Sequence, residues 1–207
     1  MQLLHIDSSI LGDSASRQLS AAIVAELRTR HAFDQLAYRD VAADAIAHLD
    51  GAIAAGFRPI VGHNAAAAAP HPEHARSDLL VRELLASQWI VIGAPMYNFS
   101  IASQLKAWFD RVIQPGMTFR YTENGPVGLA GGKRVIIAST RGGMYSAGAA
   151  AAMDFQETYL RALFGFMGIT SVTFVRAENL SRGMEARQQS LQAVQAAIAP
   201  AVQTALS

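Results

Sequence analysis

Short apolar runs alternate along the chain with stretches in which apolar residues return every three or four positions. Leu3-Leu4-His5-Ile6 predicts a first strand, and Leu19, Ile23, Val24 and Leu27 predict a helix over Arg17 to Arg30. Leu36 to Arg39 reads as a short second strand. Residues 41 to 73 carry no readable period: Gly51, Gly56, Pro59, Gly62, Pro70 and Pro72 interrupt it, and Ala65 to Ala69 is low in complexity. Leu79, Leu80, Leu84 and Leu85 mark the next helix. Trp89-Ile90-Val91-Ile92-Gly93-Ala94 is continuously apolar, as in a parallel strand buried on both faces, and it stops at Pro95. Leu105, Trp108, Phe109 and Val112 share one face of a predicted helix over Ala102 to Ile113. Residues 118–121 and 126–129 flank Asn124-Gly125 and predict a hairpin-like excursion. Val135 to Ala138 predicts another buried strand, Phe155 to Phe166 a helix, Val172 to Val175 a fifth sheet strand, and Glu185 to Leu206 a closing helix.

Strands alternating with helices, without a repeat or a linker, predict one α/β domain over residues 1–207. Its architecture is a doubly wound, five-stranded parallel sheet with helices on both faces. In such sheets ligands bind beyond the C-terminal ends of the strands, where the strand order reverses. Three loops lie there: Asp7 to Ser16, Pro95 to Ser100 and Ser139 to Tyr145.

Composition narrows the chemistry. Apolar residues make up 51% of 207 and charged residues 16%, enough to bury a core. Seventeen basic and sixteen acidic residues leave a net charge of +1, which points away from nucleic acid as a partner. There is no cysteine, so disulfides, thiolate metal sites and cysteine nucleophiles are excluded. No apolar run reaches the length of a membrane span, and the first residues lack the pattern of a secretory signal. The expectation is a cytoplasmic protein with no membrane partner.

Each loop has a chemical reading and a plainer one. Ser8-Ser9-Ile10-Leu11-Gly12-Asp13-Ser14-Ala15-Ser16 follows a strand and opens a helix, so its hydroxyls and N–H groups can hold a phosphate. The plainer reading is that Ser14 or Ser16 caps the helix. Met96-Tyr97-Asn98-Phe99 follows a buried strand and can cover a flat ring, or be core aromatics with a turn. Thr140-Arg141-Gly142-Gly143-Met144-Tyr145 lets backbone N–H groups approach a polarised ring edge, or is simply a loop. Together they suit a mononucleotide with a planar heterocycle, above all FMN, and no metal.

Rival motifs fail on spacing. Gly12-Asp13-Ser14 resembles an esterase nucleophile block, but all six histidines lie within the first 74 residues, so the late general base is missing. No Gly-x-Gly-x-x-Gly follows a strand, and Gly128 to Arg134 has the wrong spacing for a P-loop. His71-Pro72-Glu73-His74 contains metal-ligand types but reads as a solvated loop.

The same loops carry a family resemblance. Ser8-Ser9-Ile10-Leu11, Ser14-Ala15-Ser16, Pro95-Met96-Tyr97-Asn98-Phe99, Thr118-Phe119-Arg120-Tyr121-Thr122-Glu123-Asn124-Gly125-Pro126 and Arg141-Gly142-Gly143 resemble the FMN-dependent NADH:quinone oxidoreductases, also called FMN-dependent NADH azoreductases, of flavodoxin-like fold. The resemblance runs from the first strand to about Glu178. It implies that Ser9, Ser14, Ala15 and Ser16 bind the FMN phosphate. Met96, Tyr97, Asn98 and Phe99 would bind the ribityl chain and ring, and Thr140, Arg141, Gly142 and Gly143 would complete the flavin site. Phe119, Tyr145 and Arg58 would line the substrate pocket.

It further implies one FMN per subunit, a homodimer, NADH or NADPH as donor, and quinones and azo compounds as substrates. The mechanism implied is ping-pong, with the flavin carrying the chemistry and no essential protein acid or base. The alternatives are an NADPH-dependent FMN or chromate reductase of the same fold, and a flavodoxin-type electron carrier.

Overall fold

The computed structural model describes residues 1–57 and 71–206. Its elements are β1 (Gln2–Asp7), α1 (Ala15–Arg30), β2 (Gln35–Asp40), α2 (Gly51–Ala55), α3 (Pro72–Ala86), β3 (Trp89–Pro95), α4 (Ser103–Val112), β4 (Phe119–Thr122), β5 (Gly125–Gly128), β6 (Arg134–Thr140), α5 (Phe155–Phe166), β7 (Ser171–Ala177) and α6 (Met184–Leu206), with a 3₁₀ turn at Ala149–Met153. Among the described residues five strands form a sheet in the order β2-β1-β3-β6-β7, with parallel pairing throughout. With β4 and β5 set aside as a separate antiparallel hairpin, this is the strand order of the flavodoxin-like fold.

The two-residue period of the strands separates two cores. Leu4, Ile6, Ile90, Ile92, Val135 and Ile137 pack on the side of α3, α4 and α5. Leu3, Trp89, Val91, Ile136 and Ala138 pack on the side of α1 and α6. Both faces are thereby covered, which is why β3 reads as one apolar run. The order reverses between β1 and β3, which places the loop after β1 beside the loop after β3.

Gly93 makes this junction possible. A Cβ there would lie 2.3 Å from Asp7 Oδ1 and 3.1 Å from the Ser16 carbonyl, so any side chain would push β3 away from the start of α1.

One local reading changes. The His71-Pro72-Glu73-His74 segment is the first turn of α3 rather than a solvated loop. Proline opens the helix, where no donor is needed, and His71 Nδ1 accepts the Glu73 N–H at 3.2 Å. The cap of α4 is Ala102, without a side-chain hydrogen bond.

Candidate functional site

The loop after β1 is built as an N-terminal helix cap with spare donors. Ser14 is the N-cap of α1, its Oγ accepting the Arg17 N–H at 3.4 Å and lying 3.1 Å from Ser16 Oγ. No acidic residue occupies the first turn, so the positive end of the helix stays uncompensated there. The N–H groups of Ala15 and Ser16 belong to the helix's first turn, where no intrahelical acceptor exists. Ser9 Oγ accepts the Leu11 N–H at 3.2 Å and lies 3.3 Å from the Tyr97 hydroxyl.

The loop after β3 turns back on itself in two residues. Tyr97 and Ser100 exchange both backbone hydrogen bonds, at 2.9 and 3.1 Å. The two residues between them, Asn98 and Phe99, have φ of 47° and 71°. Two positive φ values define a turn of the I′ kind, which asparagine tolerates and phenylalanine resists. A strained, 42% exposed aromatic at such a point is a mark of function. The Phe155 N–H, at the head of α5, donates to the Phe99 carbonyl at 3.1 Å and helps hold the turn.

The loop after β6 is held from below. The Asn179 and Ser181 N–H groups donate to the Gly143 and Gly142 carbonyls, each at 3.0 Å. Among the described residues, nothing accepts from the Gly142 and Gly143 N–H groups. A Cβ on Gly142 would lie 2.8 Å from Ser181 Oγ, so a side chain there would have to displace the serine hydroxyl. Tyr145 faces Phe99 edge-on with ring centroids 6.2 Å apart, and so joins the second and third loops. The Met96 N–H donates to the Thr140 carbonyl at 2.8 Å, continuing the ladder between them.

Arg141 turns inward. Its side chain is completely buried and meets Asp154 at 2.8 Å, Glu157 at 2.6 Å and Glu178 at 3.3 Å. Its own N–H donates to the Ala177 carbonyl at 2.9 Å. The residue therefore ties β6, α5 and the end of β7 together, its guanidinium turned to Ser139 Oγ and three carboxylates. Glu178 accepts the Tyr145 N–H at 2.7 Å and the Ser146 N–H at 2.9 Å. Burial alone would raise its carboxyl, but the Ser146 hydroxyl, these two N–H groups and the Arg141 charge together hold it below the ordinary glutamate value.

Phe119 is not beside the other site residues. Its ring is 5% exposed and packs on Phe166 at 4.5 Å and Tyr121 at 5.2 Å. Phe166 is the last residue of α5, whereas Phe155, bonded to Phe99, is the first. At about 1.5 Å per residue, the helix separates Phe119 from the three loops by roughly 16 Å. Within one subunit this sets Phe119 apart from the three loops: α4 runs from the loop end of the sheet to the opposite end, and delivers the hairpin there. Arg58 lies outside the described residues.

Sequence reasoning missed Gln156, Asp154, Glu157 and Glu178. Gln156 is completely buried; it accepts from Ser139 Oγ at 2.9 Å and donates to the Ala94 carbonyl at 3.1 Å, clamping the ends of β3 and β6. Asp154 accepts the Gln156 and Glu157 N–H groups at the head of α5. An acidic residue just before an apolar helix was the one available signal, and it marks a cap rather than a site.

Ile10 from the first loop and Tyr97, Asn98 and Ser100 from the second line one open cleft of about 570 Å³, with Gln104 and Tyr159 behind them. The residues present fit FMN. A helix start with open N–H groups and serine hydroxyls suits its phosphate, and two open glycine N–H groups suit the carbonyl edge of its ring.

Known proteins agree with this geometry. A family model described as "Flavodoxin-like fold" matches residues 1–201. The "FMN-dependent NADH:quinone oxidoreductase" of Ralstonia nicotianae (strain ATCC BAA-1114 / GMI1000) is 64% identical, covering 100% of both chains. The "FMN-dependent NADH:quinone oxidoreductase 2" of Xanthomonas euvesicatoria pv. vesicatoria (strain 85-10) is 60% identical over 99% of this chain and 94% of its own. Among solved structures, an azoreductase from Bacillus anthracis str. Sterne superposes with a TM-score of 0.83 at 25% identity, covering 97% of each chain. Matched end to end by such relatives, with the three loops assembled at one end of the sheet, the chain belongs to the family of FMN-dependent NADH:quinone oxidoreductases and is an enzyme of flavodoxin-like fold.

Proposed function

We propose that this enzyme reduces quinones to quinols in the cytoplasm by a ping-pong mechanism, with one FMN per subunit and NADH as donor. When bound, the FMN supplies hydride acceptance from the nicotinamide and two-electron delivery to the acceptor. The chain's part is to bind, orient and polarise. Ser9, Ser14, Ala15 and Ser16 take the phosphate, while Met96 to Phe99 and Thr140 to Gly143 take the ribityl chain and ring. The Gly142 and Gly143 N–H groups would donate to the ring's carbonyl edge, where negative charge gathers on reduction. Arg141 is assigned to positioning, since its donors are committed to carboxylates and to Ala177. Donor and acceptor occupy the same cleft in turn, because one open cleft joins the first two loops. Azo bonds would be cleaved there by two rounds of the same transfer, with protons drawn from solvent.

The observation that carries this reading is the pairing of open glycine N–H groups with the strained Asn98-Phe99 turn across the ends of β3 and β6. NADH is favoured over NADPH because Lys106, the one cation among the described cleft residues, is engaged by Asp110 at 2.5 Å. A homodimer reconciles the hairpin with the site. The resemblance puts Phe119 over a flavin, and the fold puts it at the far end of its own subunit, so the flavin it approaches is that of a second copy. Tyr121, 73% exposed, and the exposed Met117, Val127 and Leu129 give that end an apolar contact surface.

Initial-rate kinetics with NADH and a benzoquinone test the reading. Parallel double-reciprocal lines, and a higher kcat/KM for NADH than for NADPH, are expected. Intersecting lines would contradict alternate occupancy of one cleft.

A further inference from the structure

Among the described residues Arg17 is the one basic residue beside the phosphate loop, and its guanidinium has no donor to spare. An arginine head carries five N–H donors. Its Nε donates to the Leu11 carbonyl at 3.0 Å, and Nη2 to the Ser9 carbonyl at 2.8 Å and Asp40 Oδ1 at 2.9 Å. Nη1 donates to the Tyr38 hydroxyl at 3.3 Å and meets Asp40 Oδ2 at 2.7 Å. Charge is matched as well as geometry. Asp40 lies in direct contact, and the buried Asp7 carboxylate stands 3.9 Å away. The Asp40 hydrogen bond, against an opposing effect of burial, raises the guanidinium above its ordinary value, and the same contact lowers Asp40.

In a planar trans peptide the carbonyl and the following N–H point in opposite directions. Drawing the Ser9 and Leu11 carbonyls down onto Arg17 therefore aims the Ile10 and Gly12 N–H groups the other way, toward the cleft. The Ile10 N–H does point there, donating to the Tyr97 hydroxyl at 3.3 Å. We infer that Arg17 is a positioning residue of the FMN phosphate site: held by Asp40, it grips the loop by two carbonyls and turns the loop's N–H groups toward the phosphate, without touching the phosphate itself. This rests on the FMN reading above.

Three consequences separate this from a direct ion pair. Lysine keeps the charge but has three donors on one nitrogen where the guanidinium fork makes five contacts, so Arg17→Lys will not rescue binding. Asp40→Asn, which removes a negative charge near the phosphate, will weaken FMN binding, whereas a direct Arg17–phosphate contact predicts that it tightens. Riboflavin, which lacks the phosphate, will be nearly indifferent to both changes.

The experiment is fluorescence titration of apoprotein with FMN and with riboflavin, for the unaltered chain, Arg17→Lys, Arg17→Gln and Asp40→Asn. The expected result is an FMN affinity lower by about tenfold or more in both Arg17 variants and by at least about threefold in Asp40→Asn, with riboflavin affinity changed by less than about threefold. General loosening of the fold would lower both affinities together, so the FMN-to-riboflavin ratio reports the loop. Asp40→Asn leaves the arginine in place and keeps the test open if an Arg17 variant does not fold. Retained FMN affinity in Arg17→Lys, or tighter FMN binding in Asp40→Asn, would overturn the inference. An unaltered chain that does not discriminate FMN from riboflavin would overturn the phosphate assignment beneath it.

Discussion

The carboxylate of Glu178 accepts the Tyr145 N–H at 2.7 Å, so the end of β7 fixes the loop that follows β6. Its carboxyl is held below the ordinary value of 4.5. A carboxylate lowered by folding stabilises the fold above its unfolded value, and that contribution is lost as the pH falls through the folded value. At neutral pH, Glu178→Gln is expected to lower stability by about 1–3 kcal/mol, as a charged acceptor of backbone donors becomes a neutral one. The gap to the unaltered protein should close as the solution is acidified below the glutamate range. Denaturant unfolding of both proteins across pH checks this.

Arg141 carries the heavier structural charge. Its removal leaves Asp154, Glu157 and Glu178 crowded around a buried space, with Arg176 reaching only Glu157, at 2.6 Å. Arg141→Met is expected to cost about 3–5 kcal/mol, the usual consequence of orphaning buried charges. Arg141→Lys will recover part of this, since an ammonium keeps the charge but lacks the planar fork that spans the three carboxylates. The denaturation midpoint is the readout.

Phe99 sets stability against binding. Glycine accepts a φ of 71° without strain, and the phenylalanine ring is only half buried. Phe99→Gly is expected to leave stability unchanged or raise it by about 1 kcal/mol, while FMN binds more weakly. Melting temperature of the apoprotein, paired with FMN titration, separates the two effects.

The hairpin divides between core and surface. Phe119→Ala should cost about 3–5 kcal/mol, since the ring is packed on Phe166 and Tyr121. Tyr121→Ala removes a side chain that is 73% exposed, so monomer stability should change by less than about 0.5 kcal/mol. If this end meets a second copy, that variant will dissociate at higher protein concentration in sedimentation equilibrium than the unaltered chain.

What the sequence revealed depended on the range of each interaction. β3 and β6 were legible because burial on both faces leaves an unbroken apolar run, and the three loops because their residues are contiguous. The role of Arg141 was not, because its partners stand 13 to 37 positions away, at Asp154, Glu157 and Glu178, on two other elements. The distance between Phe119 and the three loops of one subunit was not legible, because sequence order does not say at which end of the sheet an excursion emerges. The start of α3 was hidden by prolines and histidines that read as loop, although Pro72 opens the helix and His71 caps it.

The most direct test of the account is an anaerobic visible spectrum of the purified protein reconstituted with FMN, to which NADH and then a benzoquinone are added in turn. The expected result is a bound-flavin spectrum that bleaches with NADH and returns in full with the quinone. A flavin that binds but is not bleached by NADH would contradict the assigned reaction, and a protein that retains no FMN would contradict the assignment of all three loops.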